Sequence, residues 1–226
     1  IVKYRKGVQV FALLVFILML VLGKVQLWMA IFGVSLLLST YFGRFYCGYL
    51  CPINTGMELI DDHAEKNKRK RKAVPEIGKK AWIRYGVLAL FLGAMIVVFK
   101  TGKKLPVLPV LFGLGITITI FYKPEFWHRY LCPYGTLLSI FSKFNRKSYV
   151  IEEENCIKCG KCVRACPANA IVWENKNDYP VIIQNECLQC GRCKEVCPSD
   201  AIHSHNKQMI KSSNTIENDK KQATTP

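Results

Sequence analysis

The chain has 226 residues, 11 of them cysteine; half of it is hydrophobic, yet its formal net charge is +16. Residues 1–150 hold 22 Lys/Arg against 6 Asp/Glu, residues 151–206 hold 6 against 8, and residues 207–226 hold 4 against 2. Nucleic-acid binding would need a basic face on a folded polar domain, and the one segment of that kind is slightly acidic, so that class is set aside. No dinucleotide glycine fingerprint, phosphate loop or nucleophile motif is present, which leaves flavin, nicotinamide and ATP chemistry to partners.

In chain order, four apolar runs come first: 7–23, 27–45, 82–99 and 105–122. Each lies near the lower end of the length that crosses a bilayer. The first lacks a small-residue cleavage site and reads as a retained helix rather than a signal peptide. Gly23-Lys24 is expected to form a hairpin turn, with Arg84 and Trp82 as interfacial anchors. The basic residues favour the side shared by the N-terminus, the loop 46–81 and everything after 122. The expectation is therefore a membrane α-helical domain of four transmembrane helices (1–150) in the inner, cytoplasmic membrane, with the C-terminal domain in the cytoplasm. The run Lys66–Lys72 (KNKRKRK) reads either as a contact with anionic lipid or as a solvated loop.

The helical half repeats itself. Residues 41–56 align with 122–137, so that Tyr41/Tyr122, Phe45/Phe126, Tyr49/Tyr130, Leu50/Leu131, Cys51/Cys132, Pro52/Pro133 and Thr55/Thr136 coincide. The unit is an apolar hairpin followed by a Cys-Pro motif, used twice.

Eight cysteines follow in two runs, Cys156-x2-Cys159-x2-Cys162-x3-Cys166-Pro167 and Cys187-x2-Cys190-x2-Cys193-x3-Cys197-Pro198. This is ligand spacing, not a disulfide framework, and thiolate ligands favour a reducing compartment. Zinc sites use paired cysteines with a longer gap between pairs. Residues 151–206 resemble the two-cluster bacterial ferredoxins, which have an α+β fold and in which the fourth Cys of each run ligates the other cluster. The resemblance implies two [4Fe–4S] clusters, one on Cys156, Cys159, Cys162 and Cys197, the other on Cys187, Cys190, Cys193 and Cys166. Gly160 and Gly191 are expected to permit close turns, and each Cys-Pro to open a short helix. Trp173 and Tyr179 read as packing residues, His203 and His205 as surface residues, and 207–226 as a disordered tail.

Cys47, Cys51 and Cys132 remain. In the repeat His128 stands where the first unit has Cys47, four residues before the Cys-Pro. Residues four apart share a helix face, so Cys47, Cys51, His128 and Cys132 form a second candidate metal set. It suits iron, a further iron–sulfur cluster, zinc or copper equally.

Over residues 1–206 the pattern resembles the membrane polyferredoxins typified by the membrane ferredoxin subunit of the periplasmic nitrate reductase system, and the membrane part of the nitrous-oxide reductase regulator. That group usually has Cys at the position of His128. The resemblance implies electron transfer between quinol or a membrane redox complex and redox partner proteins. Redox sensing, cofactor maturation and metal handling, with the ferredoxin part as electron feed, are the alternative roles.

Overall fold

The computed structural model describes residues 4–24, 26–69, 71–75, 80–101, 107–175 and 177–206; the tail 207–226 lies outside them. Helix α1 (Arg5–Val21) ends at Leu22, and Gly23, at φ +68°, reverses the chain into α2 (Gln26–Phe42). A short helix α3 (Phe45–Tyr49) precedes α4 (Pro52–Lys66), which starts with proline at its first position. There the absent N–H is no loss and the fixed φ suits the helix. Helices α5 (Ala81–Thr101) and α6 (Val107–Phe121) follow. A π-helical turn (Phe126–Leu131) leads into α7 (Pro133–Phe141), also opened by proline.

The two units match closely at the motif. Cys51 and Cys132 share extended backbone (φ/ψ −70/115° and −76/110°). Thr55 Oγ1 donates to the Cys51 carbonyl at 3.2 Å, and Thr136 Oγ1 to that of Cys132 at 3.1 Å.

The expectation of four transmembrane helices is not met. Among the described residues no helix is long and apolar enough to cross a membrane, and the multi-pass inner-membrane placement falls with it. Helices α1, α2 and α6 have 17, 17 and 15 residues. At 1.5 Å per residue they reach only about 22–26 Å, against a hydrocarbon core of about 30 Å. Helix α5 has 21 residues, but Arg84 breaks its apolar run near the start and is no interfacial anchor: its guanidinium turns inward onto Glu186. Arg5 and Gln9 of α1 likewise turn inward, onto Glu58. Sequence runs counted as bilayer-facing thus contain the polar contacts that join these helices to the rest of the protein. Leu14, Leu37, Leu90 and Val110 remain exposed on the outward faces. The basic run also turns inward in part: Arg71 pairs with Asp61, and Lys72 N–H donates to the Phe121 carbonyl at 3.0 Å.

The C-terminal part is closed by β1 (Lys147–Ile151) and β4 (Ile202–Asn206), antiparallel from Lys147↔Asn206 to Ile151↔Ile202. Its first strand therefore starts a few residues before position 151. A second antiparallel pair, β2 (Ile171–Val172) and β3 (Val181–Ile182), lies between the cysteine runs. The short helices α8 (Lys161–Ala165) and α9 (Arg192–Glu195) precede the fourth cysteine of each run. This corrects the expectation that Pro167 and Pro198 would open helices; both begin turns. The physical reason is the left-handed Gly160 and Gly191 (φ +67° and +73°), which cap α8 and α9 and place the helical turn ahead of the proline. Trp173 packs over Gly160, and Tyr179 underlies the Lys158 ammonium, 4.0 Å from its ring centre.

Candidate iron–sulfur centres

Two internal cavities lie in the C-terminal part. One, of about 20 Å³, has Cys166, Cys187, Cys190 and Cys193 in its wall. The other, also of about 20 Å³, has Cys156, Cys159, Cys162 and Cys197. Each cavity thus gathers three cysteines of one run and the fourth of the other, the sets implied by the sequence. The backbone around them repeats as well. Lys158 and Gln189, Gly160 and Gly191, and Asn169 and Asp200 all have positive φ at matching places in the two runs. Left-handed residues of this kind turn successive N–H groups toward a common centre, a concavity suited to an anion. Ala170 N–H donates to Cys166 Sγ at 3.2 Å.

The donor set fits a cluster. Burial pushes the Cys187 and Cys190 thiols up, to about 12 and about 11, with the neighbouring Cys190 adding to the effect at Cys187; Cys193 also moves up for the same first reason. Thiols so disfavoured as anions ionise where a metal takes the place of the proton. Among the described residues, no three His, Cys, Asp or Glu side chains close on a common point as the ligands of one ion would.

The two cavities differ in surroundings. Cys187, Cys190 and Cys193 are buried and the cavity they share abuts the helical part, whereas Cys159 is exposed. Gly48, between Cys47 and Cys51, lies against the Leu188–Cys190 backbone. A Cβ at Gly48 would fall inside contact distance of the Leu188 carbonyl and 3.2 Å from Cys190 N. Only glycine allows that approach.

Of the second candidate set, Cys47, Cys51 and Cys132 are buried together. After burial itself, the strongest influences holding the Cys51 thiol up are Cys47 and Cys132; Cys132 is pushed up to about 12 by burial and then by Cys47. The Arg44 guanidinium stands beside Cys47, countering the effect of burial on its thiol. Arg44 Nε is buried with no hydrogen-bond acceptor among the described residues, a state that costs about 1–3 kcal/mol when nothing fills it. Three buried thiols beside the Arg44 guanidinium would suit an anionic group. His128 is placed differently. Its ring is buried and lines a small cavity with Met57, Pro167, Cys190 and Arg192, while its carbonyl accepts from Arg44 Nη2 at 3.2 Å. Burial and then the Arg44 charge lower its pKa to about 3, so the imidazole is neutral at any working pH. It sits in the π-helical turn, an irregularity common at functional sites.

Sequence reasoning did not find the residues that dock the two parts. Glu186, directly before Cys187, is buried and receives Arg44 Nη1 at 3.0 Å, Arg84 Nη1 at 2.6 Å and Ser139 Oγ at 3.1 Å. Arg192 of α9 meets Asp61 at 3.1 Å and Asp62 at 2.6 Å on α4, and Arg129 donates to the Asn169 carbonyl. The available signal was an acid placed next to a candidate cluster ligand, where a negative charge is unwelcome unless a cation answers it.

Residues 149–204 match the family described as "4Fe-4S dicluster domain", and the "4Fe-4S binding domain" family matches twice, at 25–72 and 105–150. The two latter matches each contain one Cys-Pro motif. The chain is 29% identical over 149 residues to the uncharacterized protein MJ0749 of Methanocaldococcus jannaschii, covering 62% of this chain and 58% of that one. To MJ0750 of the same organism it is 30% identical over 172 residues, covering 67% and 70%. The chain belongs to this family of ferredoxin-type 4Fe–4S proteins. Its members include the methylamine utilization ferredoxin-type protein MauN of Methylorubrum extorquens, 28% identical over 65% of this chain and 56% of MauN. The chain thus spans little more than half the length of two of these three relatives. Ferredoxin-type iron–sulfur electron transport is the common ground of the family; the narrower likeness to the nitrate reductase subunit is not established by it.

Proposed function

We propose that the protein carries single electrons between redox partner proteins through two [4Fe–4S] clusters, with a third centre in the helical part. Cys156, Cys159, Cys162 and Cys197 would hold the outer cluster, and Cys166, Cys187, Cys190 and Cys193 the inner one. Each such cluster takes up or gives up one electron without bond making or breaking. The observation that carries this reading is the pair of four-cysteine cavities, each drawing on both motif runs. The chain's own residues supply the rest. Leu188 and Ala170 give the inner cavity an apolar wall, and the left-handed Gly160 and Gly191 turn the backbone around the cysteines.

For the third centre the candidate ligands are Cys47, Cys51 and Cys132; His128, set in the wall of the neighbouring cavity, would complete them only by turning its ring away from Cys190. The double match of the helical part to a 4Fe–4S binding family supports it, as do the three buried thiols and the Arg44 guanidinium beside Cys47. The close approach at Gly48 puts this set next to the inner cavity, where a relay needs it.

Anaerobic purification with iron and sulfide analysis, followed by redox-poised EPR, tests the reading. About eight irons per chain belong to the two ferredoxin clusters, and a third cluster raises the count toward about twelve. Iron at or below about four per chain, or zinc in its place, would sink it. Cys51→Ala and Cys132→Ala should remove the additional signal and spare the other two. Unchanged iron content in both variants assigns these thiols a packing role instead.

A further inference from the structure

An open cleft of about 1030 Å³ runs between the basic segment after α4 and helix α8, and Cys166, one of the inner-cavity cysteines, lies in its wall. Nine of its lining residues are Lys or Arg and four are Asp or Glu, a balance of nine minus four, +5. Four of the nine are answered within the molecule: Arg5, Lys6, Arg71 and Arg192 pair with carboxylates of α4. The other five, Lys68, Arg69 and Lys123 on one wall and Lys161 and Arg164 on the other, have no acidic partner among the described residues. All five are exposed. The first wall is held in place by backbone: Arg69 N–H donates to the Ala64 carbonyl at 2.9 Å, and Lys72 is bridged to Tyr122 beside Lys123.

We propose that this cleft docks an acidic redox protein, whose carboxylates seat between the two walls above Cys166. The inference rests on the electron-carrier reading and adds the partner's chemistry and the face it uses. Like charges facing each other across a cleft focus the field and speed the encounter with an anionic partner. The volume, open on one side, is at the upper limit of small-molecule sites. The interspersed Glu65, Glu125 and Glu195 would repel a compact polyanion, whereas a protein surface with its own scattered cations uses them for register. A flat lipid surface does not reach the floor of a cleft.

The test measures binding by titration calorimetry on protein of known iron content, so that a missing cluster and a missing docking site are told apart. The probes are an acidic plant-type [2Fe–2S] ferredoxin, an acidic flavodoxin, pyrophosphate, and vesicles of phosphatidylglycerol in phosphatidylcholine. Binding of either acidic protein should weaken steeply between low and physiological salt. It should fall at least tenfold in the triple variant Lys68→Glu, Arg69→Glu, Lys123→Glu, which leaves the cysteine environment and iron content as in the parent. The charge-conserving triple variant Lys68→Arg, Arg69→Lys, Lys123→Arg should keep the parent affinity. Salt-insensitive binding, equal affinity in the triple variant, absence of binding to both proteins, or tighter competing binding by pyrophosphate or vesicles would each overturn the proposal.

Discussion

Arg44 and Glu186 stand 142 positions apart in the chain and meet as a buried ion pair at 3.0 Å. Each lies next to a cysteine motif: Arg44 three residues before Cys47, Glu186 one before Cys187. Arg84 gives the same carboxylate a second cation at 2.6 Å. The pair therefore fixes the helical cysteines against the inner ferredoxin cavity, and the electrostatics of one side answer those of the other.

Removing one member of a buried pair leaves the other uncompensated, at a cost of about 3–5 kcal/mol. Glu186→Gln and Arg44→Ala should each lower the unfolding free energy from urea titration by an amount in that range. The junction near Asn185 should also become more sensitive to protease. An unfolding free energy within about 0.5 kcal/mol of the parent, the ordinary surface range, would show that the pair does not join the two parts.

Acid should loosen the same junction. Burial alone would raise the Glu186 carboxyl, but Arg44, Arg84 and Ser139 outweigh it and hold the group below the ordinary range. A carboxyl with a depressed folded value contributes stability that is present above its unfolded value, about 4.3. That stability is lost as pH falls through the lower folded value. Denaturation midpoints from pH 7 down to pH 3 should therefore decline below about pH 4.5 in the parent and decline less in Glu186→Gln. Parallel curves for the two proteins would refute the linkage.

Gly48→Ala should be damaging, because the added methyl enters the space of the Leu188 and Cys190 backbone. Overpacking of this kind costs about 1–3 kcal/mol, and here the shift falls on a loop in the wall of the inner cavity. Gly93→Ala in α5 is the internal comparison: a Cβ there meets nothing within 4 Å, so a gain of about 0.5–1 kcal/mol is expected. Thermal midpoints and iron retention of the two variants should move in opposite directions.

Cys166→Ala and Cys197→Ala test the crossing of the cavities. Cys166 sits in the first run but lines the cavity of the second. Its loss should impair the inner cluster and leave the outer signal, while Cys197→Ala should do the reverse. Loss according to run rather than cavity would mean that each run serves its own cluster.

What could be read in the sequence was what depends on local spacing. The two cysteine runs, their glycines and the Cys-Pro repeat at 51 and 132 each act within a few residues. Where meaning depended on a distant partner, the reading failed. Arg84 looked like an anchor at a membrane boundary because Glu186, its partner across 102 positions, is silent in sequence. Gln9 was absorbed into the apolar run 7–23 for the same reason. His128 aligned with Cys47 in the repeat, yet the π-helical turn around it aims its ring into the cavity shared with Cys190. An extra backbone residue in a turn leaves no trace in residue type.

The positive-φ residues of the two cysteine runs recur in register, so the C-terminal part carries two nearly interchangeable pockets. Symmetry of that kind gives electrons no preferred end. The mooring breaks it: one pocket is pressed against α3 and shielded by Leu188, while the other keeps Cys159 at the surface. Solvent access and the charges nearby set the potential of an iron–sulfur centre. A duplicated module acquires a front and a back simply by being fastened along one side, and the twin pockets become distinguishable terminals without any change in their ligands.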